Sequence, residues 1–220
     1  MNGSRWAAPL LAIAAAVAVG ACGQNTALYD PTPEMLSVPA PDSFVVAIET
    51  SEGNLEVKMH RAWSPAGVDR VFHLMANDFY AGARIYRVVP DFVAQWGFSG
   101  DPVLDSVWGD RRVDDEPVVA SNTRGVVSFA RGGPRTRSYT LFVNLVDNER
   151  LDDMDAGGIV GYPPIGVIER GLEVIDGFYA AYADRTPSQD SIRIQGNDYL
   201  RREYPQLDSI IATRVIKWWR

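Results

Sequence analysis

Alternating apolar and polar positions predict a series of short β-strands along this chain. Phe44 to Thr50 and Leu55 to Met59 are two strand-like runs, of which the second alternates in this way, and the intervening Ser51-Glu52-Gly53-Asn54 is typical of a hairpin turn. Further short strand-like runs, interrupted by glycine and proline, continue to about Asn144. The closing strand is predicted from Ile210 to Trp218.

Three segments have the apolar spacing of helices instead. The first begins at Ser64, with Pro65 in its first turn, and ends at Asn77. One face of this helix is apolar, with residues at helical spacing: Val68, Val71, Phe72 and Met75. A second helix is predicted over Gly171 to Tyr182, and a short third helix over Asn197 to Tyr204. The elements together predict a mainly β protein.

The N-terminus has the pattern of a targeting segment. Arg5 supplies a weak positive region, and Ala7 to Val19 is an apolar run of small residues. This run is shorter than the roughly 20 apolar residues that span a bilayer. We therefore interpret residues 1–21 as a signal peptide.

Val19-Gly20-Ala21-Cys22 resembles the lipobox of bacterial lipoproteins, in which the cysteine becomes the lipidated first residue. Cys22 is the only cysteine in the chain, so an internal disulfide is excluded. The resemblance implies a lipid anchor at Cys22 and a location in the bacterial cell envelope, at the outer membrane or facing the periplasm in a Gram-negative host. The alternative is an incidental free thiol behind an ordinary signal peptide.

The chain after the signal peptide consists of a short proline-rich segment and a longer segment that can fold. Residues 22–42 contain prolines among small polar residues and predict an extended, lipidated tether: Pro31, Pro33, Pro39 and Pro41. Residues 43–220 suffice for a single folded domain. The formal net charge is −7 with no basic run, which argues against nucleic acid as a partner.

The stretch from Ile85 to Gly97 carries the candidate chemistry. It combines one cation, Arg87, with two apolar groups and an amide in the order Phe92, Val93 and Gln95. No nucleophile, base or metal ligand stands beside them. Such a set suits a reaction that breaks no covalent bond, for example rotation about a peptide bond.

Four ordered blocks resemble the cyclophilin family of peptidyl-prolyl isomerases. Tyr86 to Gly97 resembles its F-x-R-(I/V)-(I/V)-x-x-F-x-x-Q-x-G run, and Gly125 to Pro134 its G-x-(L/V)-S-M-A-x-x-G-P run. Leu141 to Asn144 resembles its F-F-I strand, and Leu151 to Asp176 its L-D…F-G-x-V…G-M-x-V-V-D ending. The blocks span about residues 44–180, and insertions between them identify a divergent bacterial branch.

The resemblance implies a closed eight-stranded antiparallel β-barrel capped by two helices, to which this chain adds the short C-terminal helix. It also implies catalysis of X–Pro bond rotation without a cofactor or a metal. The expected partners are proline-containing polypeptides, namely exported or envelope proteins whose folding is assisted. We expect the protein to be a monomer, attached to the membrane only through its N-terminal lipid.

Site residues follow from the same resemblance. Arg87 is the catalytic cation, because a guanidinium bonds the prolyl nitrogen better in the twisted state than in the planar one. Gln95 is assigned beside it and bonds the substrate backbone. The remaining substrate-binding residues surround the proline ring or lie along the neighbouring peptide: Phe92, Val93, Phe142 and Leu151 at the ring, with Ala130, Arg131, Gly132 and Thr140 along the peptide.

Four positions depart from the family pattern. Thr140 stands where the family has a second glutamine, Arg131 where it has an asparagine, and Arg150 where it has a tryptophan. The histidine that follows the L-D pair has no counterpart. These departures favour a rival function, a non-catalytic binding module or chaperone for proline-containing segments, whereas Arg87 and Gln95 favour catalysis.

Two further functions have weaker support. Ser128 with His60 or His73 could form a hydrolase triad, but Ser128 lacks a nucleophile-elbow setting. An acidic loop could hold Ca²⁺ but lacks the D-x-[DN]-x-[DN]-G spacing: Asp147, Asp152, Asp153 and Asp155.

Overall fold

Residues 25–220 are described by a computed structural model. Its strands are β1 (Ser43–Thr50), β2 (Gly53–His60), β3 (Arg87–Val89), β4 (Val93–Trp96), β5 (Val126–Phe129), β6 (Leu141–Asn144), β7 (Pro164–Arg170) and β8 (Ile210–Trp219). Its helices are α1 (Thr26–Tyr29), α2 (Pro33–Leu36), α3 (Pro65–Ala76), α4 (Pro102–Gly109), α5 (Arg150–Asp153) and α6 (Gln189–Glu203). Cys22 and the predicted signal peptide lie outside the described residues.

Within the described residues, the eight strands form one antiparallel sheet in the order β3-β4-β6-β5-β7-β2-β1-β8. The predicted mainly β fold is confirmed. The terminal strands β3 and β8 are not paired with each other. Just before β3, however, Ile85 N donates to Asp208 O (2.9 Å) and Ile210 N donates to Ala83 O (2.8 Å). These bonds do not extend along β3, so closure into a barrel stays a prediction.

The hairpin of β1 and β2 has the predicted position. Its register runs from Ser43 opposite His60 to Thr50 opposite Gly53, which leaves a two-residue loop. Thr50 Oγ1 accepts from Gly53 N (3.2 Å) and donates to Gly53 O (2.7 Å). Gly53 has φ +146°, and a Cβ there would lie 2.9 Å from a methyl group of Val174. Glycine is therefore the residue that this turn accepts.

Helix α3 begins where the sequence predicts, but its cap comes from elsewhere in the chain. The Ser64 side chain accepts no backbone N–H; its hydroxyl instead donates to Glu116. Glu116 accepts from Ala66 N (2.8 Å) and Gly67 N (3.2 Å), which places a carboxylate at the positive end of the helix dipole. Arg137, whose side chain is fully buried, holds that carboxylate at 2.9 Å. Ser64 therefore occupies the predicted N-cap position, but Glu116 supplies the oxygens that cap the helix.

The second predicted helix is wrong in type. Gly171 to Tyr182 contains a single 3₁₀ turn, Leu172–Asp176, followed by irregular chain, and a second short 3₁₀ turn, Ala183–Arg185, lies beyond Tyr182. Gly177 follows the first turn directly, and Phe178 then enters the core. The apolar residues that suggest a helix here are packed by the surrounding sheet rather than aligned along one helical face.

The C-terminal helix is longer than predicted. Helix α6 begins at Gln189 and is kinked at Gly196, which has φ +58° and ψ −146°. A Cβ at Gly196 would lie 2.3 Å from Gly100 O, and Asn197 N donates to the same oxygen (3.0 Å). Only Ile192 is buried between Gln189 and Gln195, so this half carries almost no apolar periodicity in the sequence.

Residues 25–42 differ from the extended tether predicted for this segment. They form α1 and α2 and pack against the domain, with Leu28 buried in the core. Leu28 O accepts from Trp108 Nε1 (3.0 Å), and Ala40 N donates to Asp69 Oδ1 (2.9 Å). Across the part of the chain that the structure describes, the helices are too short or too polar to span a bilayer.

Helix α4, which the pattern of apolar positions does not predict, contains a fully buried carboxyl group. One oxygen of Asp105 accepts from Ser99 N (2.7 Å) and Ser99 Oγ (2.9 Å), whereas the other has no partner. Burial raises the pKa of Asp105 to about 7.

This pKa predicts a pH-dependent stability. In the unfolded chain an aspartic acid has a pKa of about 3.9, whereas native Asp105 remains protonated up to about pH 7. The free energy of unfolding should therefore fall as pH rises across that interval. Asp105→Asn should flatten the decline in urea unfolding measured at several pH values. Asp198→Asn, at an exposed position of α6, is the control, and an unchanged slope in Asp105→Asn would refute the assignment.

Candidate active site

The alternation of side chains in two central strands separates the core from a second apolar cluster. On β4, Ala94 and Trp96 belong to the main core, whereas Val93 belongs to a separate cluster with Phe142 of β6 and Leu151 of α5. Successive residues of a strand point to opposite faces. One face of these strands therefore fills the core, and the other face builds the site.

Strand pairing places the predicted catalytic residues in one row. Arg87 of β3 is opposite Gln95 of β4, and Gln95 is in turn opposite Phe142 of β6. The Arg87 guanidinium donates to Gln95 Oε1 at 3.3 Å, a long hydrogen bond. The row therefore joins a cation, an amide and an aromatic ring across three strands.

This row lies beside a cavity of about 400 Å³. The cavity walls are mostly apolar and include all four residues predicted to surround the proline ring: Phe92, Val93, Phe142 and Leu151. Ala130, Met154 and Tyr162 complete the apolar wall, and Tyr162 packs edge-on against Phe142 with ring centres 5.9 Å apart. Arg87 and Gln95 supply polar groups to the same cavity.

Two guanidinium groups lie near the Phe92 ring. The Arg150 guanidinium is 4.7 Å from the ring centre, and that of Arg87 is 5.9 Å from it. Both distances fall within the range of cation–π interactions. Arg150, which stands at the family's tryptophan position, therefore contacts the pocket through this ring.

Arg131 was predicted to lie along the bound peptide, but its guanidinium holds a loop of the protein instead. Its side chain is fully buried, lies 3.3 Å from Asp115 Oδ1 and donates to the carbonyls of Ile159 (3.1 Å) and Gly161. It also lies 5.2 Å from the ring centre of Tyr162. Burial lowers the pKa of Arg131, and Asp115 acts in the opposite direction. Arg131 thus positions the loop that supplies Met154 and Tyr162 to the cavity.

The other predicted peptide-contact residues lie in an adjoining recess of about 260 Å³. Gly132 and Thr140 line this recess and not the larger cavity. A Cβ added at Gly132 would meet nothing within 4 Å, so the recess is open at that point. The two cavities share four wall residues: Gln95, Ala130, Arg131 and Gln189.

A buried polar network supports the turn behind the pocket. Asp152 accepts from Asn122 Nδ2 (2.8 Å), and Asn122 in turn accepts from Asn144 Nδ2 (3.2 Å). Asn148 donates both to Asn144 Oδ1 (3.0 Å) and to the carbonyl of Phe92 (2.8 Å). The network connects α5 to the backbone of the residue whose ring lines the cavity, so Asp152 is a structural residue.

The structure does not support the hydrolase triad or the calcium site considered from the sequence. Ser128 Oγ is buried and donates to Asn122 (2.7 Å), His60 stacks on Trp63, and His73 pairs with Ala27 O. Neither histidine contacts Ser128, so a hydrolase triad is absent. The residues from 25 to 220 contain no cluster of three or more side chains suited to a metal ion.

Several residues of the site were missed in the sequence. Met154 and Tyr162 lie in and after the inserted loop, where no family motif marks them. Gln189 begins α6, and only the tertiary packing of that helix brings it to both cavities. The only sequence feature that points to Asn122 is its position just before the block that begins at Gly125. The sequence alone does not distinguish it from a surface asparagine.

The comparison with protein families decides the assignment. A sequence model described as cyclophilin type peptidyl-prolyl cis-trans isomerase/CLD matches residues 45–197, which is more than half of the chain. The chain belongs to the cyclophilin-type peptidyl-prolyl cis-trans isomerase family. The family activity, isomerisation of X–Pro bonds, agrees with a site that holds a cation beside an apolar cavity.

Several proteins named as peptidyl-prolyl cis-trans isomerases are similar over most of their length. A peptidyl-prolyl cis-trans isomerase of Acinetobacter baylyi is 25% identical over 143 residues, covering 64% of this chain and 75% of the relative. The human peptidyl-prolyl cis-trans isomerase-like 3 is 27% identical over 137 residues, covering 60% and 79%. A Schizosaccharomyces pombe isomerase is 30% identical over 113 residues, covering 49% and 71%.

Solved cyclophilin structures support the fold. The crystal structure of a cyclophilin type isomerase from Cryptosporidium parvum has a TM-score of 0.56 at 20% identity, covering 80% of this chain and 98% of that one. A second crystal structure of that protein, in the presence of the dipeptide Ala-Pro, has a TM-score of 0.54, covering 79% and 99%. At this identity the likeness establishes a cyclophilin-like fold.

The position of Arg131 predicts a large loss of stability in Arg131→Met. The substitution removes the cation but leaves Asp115 mostly buried and the Gly161 carbonyl without its donor. Breaking a buried pair in this way costs about 3 kcal/mol or more. Urea unfolding measures the difference.

Arg135→Met is the matched control, because Arg135 pairs with Asp114 at the surface, where both side chains are largely exposed. It should change the free energy of unfolding by less than about 1 kcal/mol. Equal effects of the two substitutions would show that Arg131 does not hold the loop.

Proposed function

We propose that this cyclophilin accelerates rotation about X–Pro bonds in exported or envelope proteins and thereby assists their folding. The observation that carries the proposal is the cross-strand row of Arg87, Gln95 and Phe142 beside the apolar cavity. This row combines a cation with an apolar surface, and the proposed chemistry requires no cofactor or metal.

Catalysis requires only that the enzyme bind the twisted transition state more tightly than the planar ground state. Rotation about a peptide bond faces a barrier of about 18–20 kcal/mol, because amide resonance is lost in the twisted state. The lone pair of the prolyl nitrogen is then localised and accepts a hydrogen bond better than in the planar amide. A guanidinium directed at that nitrogen therefore stabilises the transition state more than the ground state. We assign this role to Arg87.

The remaining side chains hold the substrate. The proline ring is apolar and would occupy the cavity between Phe92, Phe142 and Leu151, whose burial from water favours binding. Gln95 accepts from Arg87, which orients the guanidinium, while its amide N–H groups stay available for a substrate carbonyl. The Cryptosporidium parvum structure in the presence of Ala-Pro supports a proline-containing ligand for this fold.

Replacement of Arg87 tests the catalytic assignment. Arg87→Ala should lower kcat/KM for a short X–Pro peptide by about 10²-fold or more, as for loss of other preorganised donors in active sites. A coupled protease assay of prolyl isomerisation measures this. Arg170→Ala is the matched control, because Arg170 is an exposed arginine of β7 paired with Glu56.

The outcomes separate catalysis from binding alone. Arg170→Ala should retain the wild-type rate, and Arg87→Lys should fall between the two because lysine keeps the charge but loses the planar fork. If the wild type and Arg87→Ala both match the uncatalysed rate while still binding the peptide, the protein is a binding module for proline-containing segments.

We further propose that the protein is a lipoprotein of the bacterial cell envelope, anchored through Cys22. The support is the apolar run before Val19-Gly20-Ala21-Cys22 and its resemblance to a lipobox. Several acyl chains on one residue give stable anchoring, whereas a single chain does not. Helix α1 begins at Thr26, four positions after Cys22, and packs against the domain through Leu28. The isomerase domain would therefore stand close to the membrane.

Labelling of cells with a fatty acid tests the anchor. The wild-type protein should incorporate the label and fractionate with membranes. Cys22→Ala should lose both properties, because the acceptor thiol is absent. Labelling that persists in Cys22→Ala would contradict the proposal. Cys22→Ser is a useful second variant, since it nearly preserves the size of the side chain and replaces only the sulfur by oxygen. It should lose the label as well.

A further inference from the structure

The recess of about 260 Å³ adjoins the cavity proposed for the proline ring, but most of its lining residues are different. It shares Gln95, Ala130, Arg131 and Gln189 with that cavity, so the two are continuous. A polypeptide whose proline occupies the larger cavity would place a neighbouring residue in the recess. A role of the recess in the choice of substrate therefore rests on the proposed function.

Arginines dominate the charge of this recess. Arg112 and Arg193 line it and are exposed, whereas the buried Arg131 is already neutralised by Asp115. Arg193 pairs with the exposed Asp190 (2.9 Å). The Arg112 guanidinium donates to the carbonyl of Thr136 (3.1 Å) and has no carboxylate within 4.0 Å among residues 25–220. One positive charge is thus left uncompensated at the recess.

The helix that carries Arg193 is held firmly in place. Ile192, the residue before it, is fully buried in the core. One turn later, Gly196 packs against Gly100, and Asn197 donates to both Gly100 O (3.0 Å) and Gly82 O (2.9 Å). The Arg193 guanidinium also lies 5.9 Å from the Phe98 ring centre. The backbone of Arg193 is therefore already ordered, and only its side chain loses freedom when it binds a ligand.

We propose that this recess binds the carboxylate of an aspartate or glutamate close to the isomerised proline, so that the enzyme prefers acidic proline-containing segments. Arginine and carboxylate form charge-assisted, often bidentate hydrogen bonds. The chain as a whole carries a net charge of −7 and repels acidic peptides, so the recess is a local exception to its surface charge. Arg112 and Arg193 are its specificity-determining residues.

Matched peptides test the preference. Each pair has glutamate or glutamine at the same position, one, two or three residues before a single proline, and kcat/KM for isomerisation is measured. At one of these positions the glutamate peptide should be turned over about fivefold faster, the scale of an exposed ion pair strengthened by a second cation. The double variant Arg112→Gln, Arg193→Gln should reduce the ratio of the two rates to about one.

Arg201→Gln is the control. Arg201 lies on the same helix and has the same kind of partner, Asp198, but does not line the recess. This variant should keep the wild-type ratio. Equal turnover of glutamate and glutamine peptides at all three positions by the wild type would overturn the proposal. A preference that survives in the double variant would overturn it equally.

Failure of the proposed catalysis gives a different result. In that case neither peptide of a pair is isomerised faster than in buffer. Fluorescence titration of the same labelled peptides then measures affinity directly. Tighter binding of the glutamate peptide, lost in the double variant, would support the recess as an acidic subsite even without catalysis, and equal affinities would refute it.

Discussion

The hydrogen-bonded ladder through β3, β4 and β6 is the constraint on which the site depends. It fixes Arg87 opposite Gln95 and Gln95 opposite Phe142, and the strand period of two sends the intervening Ala94 into the core. A register shift of one residue would exchange the core and site faces. The packing that stabilises the sheet therefore also holds the catalytic row in place.

Buried arginines connect the sheet to the loops around it. Arg131 ties the loop containing Ile159 and Gly161, while Arg137 holds Glu116 at the start of α3. A buried cation is destabilising unless it is paired, so each one also requires its carboxylate and carbonyl partners to stay in position. At the family's asparagine position, this chain thus has a residue that organises the pocket wall.

The C-terminal helix contributes residues to both cavities of the site. Helix α6 reaches back to the cavities through Gln189 and Arg193, although only Ile192, Gly196 and Leu200 are buried along it. Its position comes from the kink at Gly196, where a larger residue would clash with Gly100. A few close contacts therefore hold a polar helix against the cavity and the adjoining recess.

The sequence by itself determined the hairpin of β1 and β2, the closing strand β8, the start of α3 and the family, because local periodicity and short motifs carry that information. It also identified Arg87, Phe92, Gln95 and Phe142, which lie inside those motifs. The tertiary structure decided the rest: the capping of α3 by Glu116, the orientation of Arg131 toward the protein, and the arrival of Tyr162 and Gln189 at the site. Those contacts join residues far apart in the chain, and local patterns do not encode which distant partner a polar side chain finds.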